Sequence, residues 1–381
     1  MDDEARATGL APASDRDPKG HSQGPRRGRR SPYRHPRQDR HESGGGGEGG
    51  LDVSGRTYAA LDLGTNNCRL LVARATRDGF RVIDAFSRII RLGEGITSSG
   101  LLSEAAILRA VDALRVCRTK MRNRGVTRSR LIATEACRAA GNGLEFLERI
   151  RKEVGIELEI VDRETEARLA ATGCTPLVDP ASEGVILFDI GGGSSELVRL
   201  GRCAPMQHGP PHPEIEAWIS IPIGVVTLAE RHGGVTVSRE SFEAMIAEVA
   251  IYVDRFAAAH GGTAGLHLLG TSGTVTTIVG VYLDLPRYER RRVDGCWMTD
   301  TQVTGVVEQL LVMGYEDRVA NPCIGAERAD LVLAGCAILE AIRRAFPCER
   351  LRVADRGLRE GMLVQMMRED GVWGHTAASV P

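Results

Sequence analysis

The sequence predicts an α/β protein made of two similar lobes, and two matching hairpins carry that prediction. Residues 57–73 and 184–200 each contain an apolar strand, a turn of small residues and a second strand. When Asp62 is aligned with Asp189, the apolar and glycine positions of the two segments coincide. An internal repeat of this kind indicates two lobes of one design that face each other.

The segments between and after the hairpins alternate between helical and strand patterns, as a repeated α/β lobe requires. Ser103 suits the N-cap of a helix that runs to about Arg122 and carries apolar residues along one stripe. The later predicted elements are a strand at 129–134, a helix at 143–154, a strand at 157–161 followed by a helix that carries Glu166, a helix that begins at Ser238, a strand, turn and helix over 265–280, and a last strand and helix over 349–367. We therefore expect lobes at 55–177 and 178–370, with the last helix packing back on the first lobe.

The composition limits the classes of function that the chain can serve. The chain has 381 residues, 42% of them hydrophobic, and a formal net charge of −1. This length suffices for two domains, and the balanced charge indicates neither a specific nucleic-acid partner nor a membrane. None of the nine cysteines forms a C-x-x-C pair, which argues against a zinc or redox motif. The N-terminus lacks a secretory signal pattern, so we expect a cytoplasmic protein.

The two ends of the chain differ from the rest. Residues 1–54 are rich in Arg, Pro, Gly and His and have few aliphatic side chains, so we predict a disordered tail. The arginines between Arg26 and Arg40 could contact nucleic acid or polyphosphate, although a solvated tail without a specific partner is the simpler interpretation. Residues 371–381 are predicted to form a second flexible tail.

The two hairpin turns are candidate anion sites. Each turn alone is compatible with an ordinary β-hairpin of small residues. Two turns in one frame favour a ligand site, because Asp62 and Asp189 end their strands where ligands collect in α/β sheets. The small turn residues, including the glycines at 191–193, let backbone N–H groups approach an anion. An aspartate beside a phosphate would repel it, so the two acids imply a divalent metal, Mg²⁺ held largely through waters.

Six segments follow one another in a familiar order between residues 57 and 368: DLGTNNCRL, ATEACRAAGN, RETEARLAATG, FDIGGGSSEL, LLGTSGTVTTI and RGLREGML. In this order and spacing the chain resembles the exopolyphosphatase/guanosine-pentaphosphate phosphohydrolase (Ppx/GppA) family. The resemblance implies the actin, sugar-kinase and heat-shock-ATPase superfold, with two ribonuclease-H-like lobes and a cleft between them. It also implies hydrolysis of the terminal phosphoanhydride of inorganic polyphosphate, or of the 5′ γ-phosphate of pppGpp.

The resemblance further implies roles for single residues. Glu166 corresponds to the glutamate that activates or orients the attacking water, and Glu196 to a second essential carboxylate near the water and the metal. Arg138 resembles the arginine that holds a phosphate, and Asp62 and Asp189 resemble the acids beside the Mg²⁺ or Mn²⁺ ion. The implied phosphate cradles are Gly64, Thr65, Asn66 and Asn67, then Gly191, Gly192, Gly193, Ser194 and Ser195, and finally Gly270, Thr271, Ser272 and Gly273. Such a set suits phosphoryl transfer, which needs positioning and charge neutralisation more than covalent chemistry.

Several of these assignments have a structural alternative. Glu166 could be a solvated carboxylate, and Glu164 is a rival that faces elsewhere on the helix. Arg138 could pair with Glu135 on the surface. The third cradle could be only a helix N-terminus, where Gly and Ser are common. Arg359 is expected to form an ion pair with the glutamate that follows it, so it is left out of the site.

Two other functions remain as alternatives, a sugar or acetate kinase of the same superfold and an inactive sensor of an alarmone or polyphosphate. A kinase would need an adenosine pocket, and no residue specifies adenine. The presence of both Glu166 and Glu196 argues against an inactive site. The chain ends soon after RGLREGML, where some members of the family carry further helical domains, so we expect a preference for shorter polyphosphates or pppGpp. A homodimer is compatible with the resemblance, because many members are dimers.

Overall fold

The structure is a computed structural model that describes residues 55–203 and 206–373. These residues form two mixed β-sheets flanked by helices. The predicted tail at 1–54 lies outside the described residues, and so do residues 374–381 of the predicted tail at 371–381. The first three residues of that second tail are described, and Val372 and Trp373 pack against the core under the first sheet, where Nε1 of Trp373 donates to the carbonyl of Thr76 at 2.8 Å. Within the described ranges, no helix combines the length and the apolar character needed to cross a bilayer.

The first sheet has five strands in the order β3-β2-β1-β4-β5. The strands are β1 (Thr57–Leu63), β2 (Asn67–Thr76), β3 (Gly79–Ile89), β4 (Arg128–Ala133) and β5 (Glu159–Ile160). Strand β1 lies at the centre, antiparallel to β2 and parallel to β4, and its apolar run is buried accordingly. The strand predicted at 157–161 is shorter than expected, because only Glu159 and Ile160 pair with the end of β4.

The second sheet has six strands in the order β10-β11-β9-β6-β7-β8. The strands are β6 (Gly184–Ile190), β7 (Ser195–Leu200), β8 (Ile215–Ile221), β9 (Leu266–Thr271), β10 (Trp297–Thr299) and β11 (Arg350–Ala354). Strand β6 is antiparallel to β7 and parallel to β9, so it takes the central place that β1 has in the first sheet. Strand β10 lies antiparallel to β11 at the edge and has no counterpart in the first sheet within the described ranges.

Both sheets begin with a three-stranded antiparallel meander, and a later strand then joins parallel to the first strand. In the two hairpins Asp62 lies opposite Arg69, and Asp189 lies opposite Glu196. The predicted repeat and the two-lobed α/β fold are therefore confirmed.

The six helices predicted from the sequence lie close to their expected positions, and the other seven helices of the described residues were not predicted. In chain order the helices are α1 (Ile96–Ser99), α2 (Glu104–Asn123), α3 (Glu135–Ala139), α4 (Gly143–Val154), α5 (Arg163–Cys174), α6 (Val225–His232), α7 (Arg239–His260), α8 (Gly273–Tyr282), α9 (Arg290–Val293), α10 (Asp300–Val312), α11 (Tyr315–Ala320), α12 (Val332–Ala345) and α13 (Leu358–Glu369). Ser103 caps α2 by accepting a hydrogen bond from the N–H of Ala106 at 3.2 Å, and Ser238 caps α7 in the same way. Both predicted N-caps are confirmed.

Helices α5 and α13 join the two halves of the chain. Helix α13 packs on β1, β2 and β4 of the first sheet, and α5 packs on β7 and β8 of the second. Their backbones touch, because a Cβ on Gly361 would lie 1.9 Å from the carbonyl oxygen of Leu169, and one on Gly173 would lie 1.9 Å from that of Gly357. The α13 side chains in this core are Leu358, Met362, Leu363, Met366 and Met367, packed with Tyr58, Ala60 and Ile132. Each sheet is thus covered on one face by a helix from the other half of the sequence.

Candidate active site

The loop between β1 and β2 carries the first predicted cradle. The N–H of Gly64 donates to the carbonyl of Asn67 at 2.8 Å and closes a tight turn. The carbonyl groups of Thr65 and Asn66 accept hydrogen bonds from N–H groups in the segment 90–93. The N–H groups of Thr65 and Asn66 donate no hydrogen bond to any described residue, and the loop lines a cavity. These two donors are therefore available to a ligand.

The glycine loop after β6 packs directly against the first loop. The N–H of Gly191 donates to the carbonyl of Ser194 at 2.9 Å, which repeats the turn of the first lobe. A Cβ on Gly192 would lie 2.9 Å from Cβ of Thr65, and one on Gly193 would lie 2.9 Å from Oγ1 of Thr65. The glycines therefore allow the loops of the two lobes to meet. The N–H groups of Gly192 and Gly193 donate no hydrogen bond within the described part of the chain.

The third predicted cradle has hydroxyl groups that are already engaged. Oγ1 of Thr271 donates to the carbonyl of Arg356 at 2.6 Å. Oγ of Ser272 caps α8 by accepting hydrogen bonds from the first N–H groups of that helix. A Cβ on Gly270 would lie 2.5 Å from the ring of Phe188, so this glycine makes room for packing. The third predicted cradle is thus the N-terminus of α8, which is the structural alternative given in the sequence analysis.

The three loops surround one cavity of about 680 Å³. The predicted residues that line it are Asp62, Gly64, Thr65, Asn66, Asn67, Glu166, Asp189, Gly191, Gly192, Gly193, Ser194, Glu196, Thr271, Ser272 and Gly273. Three predicted residues lie outside this lining, namely Arg138, Ser195 and Gly270. Ser195 donates to the carbonyl of Ile223 at 2.8 Å, because alternate residues of a strand point to opposite faces. Its neighbour Glu196 therefore takes the cavity side.

Three acids at the ends of the central hairpins line this cavity, with Glu196 buried and Asp62 and Asp189 partly buried. Burial and the nearby charges of Glu166 and Asp62 raise the pKa of Asp189 to about 7. Burial and the charge of Asp189 raise the pKa of Glu196 to about 7, although Ser220 donates a hydrogen bond to its Oε1 at 2.8 Å. Burial also raises the pKa of Asp62. The site thus holds carboxylates that repel one another in the absence of a cation.

Glu166 belongs to a chain of charged groups at the side of the cavity. Helix α5 positions it one turn after the N-cap, and Nη2 of Arg138 donates to its Oε2 at 3.1 Å. The same Nη2 donates to Oε2 of Glu135 at 2.6 Å, so Arg138 bridges two carboxylates. Burial, followed by the charge of Glu196, raises the pKa of Glu166 well above its usual range. Glu164 instead pairs with Arg168 on an exposed face of α5, at 2.7 Å.

Five arginines outside the predicted site line the cavity, and the charges of two of them, Arg69 and Arg359, act on both Asp62 and Asp189. Arg69 lies on β2 opposite Asp62, and Arg359 lies in the first turn of α13. Neither guanidinium donates a hydrogen bond to the residues that the structure describes. The expected pairing of Arg359 with Glu360 was wrong, because Glu360 instead accepts a hydrogen bond from Arg290 at 3.0 Å. The site therefore offers the guanidinium groups of Arg69 and Arg359 to an anionic ligand, and Arg328 lies on the same lining.

The oxygen atoms around the cavity fit a hard cation. Oδ1 of Asn66 and Oδ1 of Asn67 are buried and have no hydrogen-bond partner among the described residues. They lie on the same cavity as Asp62, Asp189 and Glu196, whose ionised forms a cation would stabilise. Within the described ranges, no three His, Cys, Asp or Glu side chains are close enough to hold a metal by themselves. An ion here would need waters to complete its coordination, as Mg²⁺ prefers.

Comparison with known proteins gives relatives of similar sequence and solved structures of similar fold. A guanosine-5′-triphosphate,3′-diphosphate pyrophosphatase of Aeromonas hydrophila subsp. hydrophila is 28% identical over 312 residues, which are 81% of this chain and 59% of the relative. A crystal structure of an Aquifex aeolicus member of the Ppx/GppA family is 27% identical, covers 83% of this chain and 98% of its own, and has a TM-score of 0.68. An exopolyphosphatase structure from Cytophaga hutchinsonii is 24% identical, with 82% and 98% covered and a TM-score of 0.74, and supports the fold alone.

The chain therefore spans 59% of the length of the Aeromonas relative and nearly all of the two crystallised chains. The model of the Ppx/GppA phosphatase family matches residues 71–370, which include the second cradle, the third cradle and both catalytic glutamates of the prediction. The first cradle and Asp62 lie just before the matched range, on the hairpin that repeats the second one. This chain belongs to the Ppx/GppA phosphatase family.

Proposed function

We propose that the chain hydrolyses the terminal phosphoanhydride bond of inorganic polyphosphate or the 5′ γ-phosphate of pppGpp. The observation that carries the proposal is the convergence on one cavity of four acids and of four backbone N–H groups that donate no hydrogen bond to the described residues. The N–H donors of Thr65, Asn66, Gly192 and Gly193 suit phosphate oxygens, since they carry no side-chain bulk into the site. The family membership supports the same reaction class.

In this proposal Glu166 orients and deprotonates the attacking water. Its raised pKa makes it a stronger proton acceptor than an exposed glutamate, and Arg138 fixes its carboxylate. The water oxygen forms a bond to the terminal phosphorus while the bridging P–O bond breaks. The proton of the water passes to Glu166, and the electron pair stays on the oxygen of the shortened chain. Orthophosphate and a chain that is one phosphate shorter are the products.

The charge that builds up on the phosphate oxygens needs cationic partners. Arg69 and Arg359 line the cavity and supply guanidinium groups that can bind two oxygens at once. Asp62, Asp189 and Glu196 would hold Mg²⁺, with the free amide oxygens of Asn66 and Asn67 nearby. When bound, the ion would offset the negative charge of the substrate. Arg138 lies behind Glu166 in this arrangement and orients the base, so direct contact with a phosphate would require it to leave Glu135 or Glu166.

The proposal is tested by phosphate release with Mg²⁺ from long polyphosphate, tripolyphosphate, pppGpp and ATP. Glu166→Gln is expected to lower kcat by roughly 10²–10⁴-fold, because it removes the proton acceptor. Glu164→Gln is the matched control, since Glu164 lies two residues away on the same helix but pairs with Arg168 in solvent. Its kcat should stay within about twofold of the parent, as expected for a surface ion pair.

Three outcomes would reject the proposal. Equal activity of Glu166→Gln and the parent would remove Glu166 from the mechanism. Transfer of phosphate from ATP to a sugar or to acetate would favour the kinase alternative. Tight binding of pppGpp or polyphosphate without any turnover would favour the sensor.

A further inference from the structure

A short arginine-rich segment forms part of the rim of the cavity. Residues 286–292 have the sequence PRYERRR. They form the end of the loop after α8 and the first three residues of α9. Tyr288 and Arg290 line the cavity itself. The hydroxyl of Tyr288 donates to Oδ2 of Asp355 at 2.7 Å, and Nη2 of Arg290 donates to Oε1 of Glu360 at 3.0 Å. These two contacts hold the segment against the end of β11 and the first turn of α13.

The other three arginines of the segment point into solvent. Arg287, Arg291 and Arg292 are exposed, and none of them forms an ion pair or a side-chain hydrogen bond with the described residues. The segment carries four arginines and one glutamate, whereas the whole chain has a net charge of −1. A local excess of guanidinium groups without carboxylate partners among the described residues, next to a cavity lined by anion-binding groups, is typical of a site for a polyanion.

We propose that Arg287, Arg291 and Arg292 form an outer site that binds the trailing phosphates of a linear polyphosphate whose end lies in the cavity. This inference rests on the proposed function and names its substrate as a chain longer than the cavity holds. It departs from the preference for shorter chains that we expect from the sequence, because the rim of the cavity adds three exposed arginines. A long chain must leave the cavity across its rim, where Tyr288 and Arg290 place the segment. The exposed guanidinium groups then bind successive phosphates through charge and hydrogen bonds.

A nucleic acid is the less favoured polyanion for this surface. Sites for single-stranded nucleic acid combine basic groups with aromatic rings on which bases stack. Tyr288 is the only aromatic residue of the segment, and its hydroxyl is held by Asp355. Polyphosphate needs no stacking surface, because every unit along the chain carries charge.

The test compares the parent with the triple variant Arg287→Gln/Arg291→Gln/Arg292→Gln. For long polyphosphate the variant should show KM raised about tenfold at low salt, given three exposed ionic contacts, with kcat within about twofold. For tripolyphosphate, which ends within the cavity, both constants should stay within about twofold of the parent. The KM of the parent for long chains should rise with salt more steeply than that of the variant.

The control variant removes three exposed arginines that do not line the cavity. Arg77, Arg81 and Arg122 lie on the first lobe, are exposed and form no ion pair with described residues. The variant Arg77→Gln/Arg81→Gln/Arg122→Gln loses the same formal charge. It should leave the KM for long polyphosphate within about twofold, because charges beyond a Debye length of the site are screened.

The outcomes separate this inference from the proposed function. An unchanged KM for long chains, an equal loss for tripolyphosphate, or an equal loss in the control variant would overturn the outer site. A single-stranded oligonucleotide that competes with long polyphosphate on the parent but binds the triple variant more weakly would also overturn it, in favour of a nucleic-acid site. If the parent cleaves none of the substrates, the proposed function fails. Equilibrium binding of long polyphosphate to the parent and the triple variant then decides the outer site alone.

Discussion

Arg69 of the first lobe and Glu196 of the second occupy the same place in their hairpins, each opposite the aspartate that ends the central strand. The two hairpins therefore have the same strand pairing but carry opposite charges at this position. In the first lobe the arginine lowers the pKa of Asp62 against the effect of burial. In the second lobe Asp189 and Glu196 are neighbouring acids, and both have a pKa of about 7. One side of the cavity thus favours an anion, and the other favours a cation.

The acids of the second lobe should make stability depend on pH and on metal. Their pKa values of about 7 in the folded chain lie above the unfolded values of about 4. The folded state then binds more protons between these values, so the free energy of unfolding should fall as pH rises from about 4 to about 8 in a chelator. Thermal unfolding measured across this pH range checks the expectation.

Mg²⁺ should raise the Tm more at pH 8 than at pH 5, because the ion binds the ionised acids. Asp189→Asn should raise the Tm at pH 8 in a chelator and remove most of the Mg²⁺ effect. Asp112→Asn on the surface of α2 is the control, and it should change neither quantity. A pH profile without a decline, or an Mg²⁺ effect that survives Asp189→Asn, would contradict this account of the acids.

Arg69→Gln should weaken substrate binding. The substitution removes a guanidinium from the cavity and leaves Asp62 opposite a neutral side chain. We expect KM to rise by about ten- to a hundredfold, as for loss of a charge-assisted hydrogen bond to phosphate. Arg74→Gln is the control, because Arg74 lies on the same strand, is exposed and donates only to Thr57 Oγ1 at 3.3 Å. Equal KM values for Arg69→Gln and the parent would exclude the phosphate contact.

Arg138→Gln should shift the pH dependence of catalysis. Arg138 lowers the pKa of Glu166 through its charge and its hydrogen bond, against the effects of burial and Glu196. Without it the pKa rises further, so the acid limb of the kcat profile should move to higher pH. Arg168→Gln is the control, since Arg168 makes the exposed pair with Glu164. A fall in kcat without a shift of the limb would mean that Arg138 acts on the substrate and not on Glu166.

Gly361→Ala should destabilise the fold, because its Cβ would lie 1.9 Å from the carbonyl oxygen of Leu169. Helices α5 and α13 would have to separate, and we expect a loss of roughly 1–3 kcal/mol, as for overpacking of a core. Gly305→Ala is the control in α10, where a Cβ meets nothing within 4 Å. That variant should gain up to about 1 kcal/mol from helix propensity. Denaturant unfolding of both variants measures the difference, and equal stability would contradict the close crossing.

The two hairpins, six of the helices and most of the residues assigned to the cavity could be predicted from the sequence, because their signals are local. Strand periodicity, the two N-caps and the small turn residues are each written in a few consecutive residues. The internal repeat also contained a site residue that the six motifs did not point to. Extending it by one pair aligns Arg69 with Glu196, and this would have placed Arg69 in the cavity.

The remaining differences depend on contacts between residues far apart in sequence. Arg359 is free for the cavity because Arg290, from another segment, pairs with Glu360. Gly270 faces the ring of Phe188, which no local pattern shows. Ser195 differs, since the alternation of β7 already sends it to the face opposite Glu196. The alternation of side chains along β7 was therefore the sequence signal that could have excluded Ser195 from the cavity.

The exchange of helices between the two halves has a consequence for synthesis of the chain. The first sheet has one face that is covered by α13, at the end of the described chain. A ribosome therefore releases the whole first lobe before the helix that completes it has been translated. The apolar face of the first sheet, with Tyr58, Ala60 and Ile132, is not covered by α13 while the second lobe is being synthesised. The cleft can then be assembled only after translation has passed α13, so the nascent chain cannot form the cavity before residues 358–369 have been synthesised.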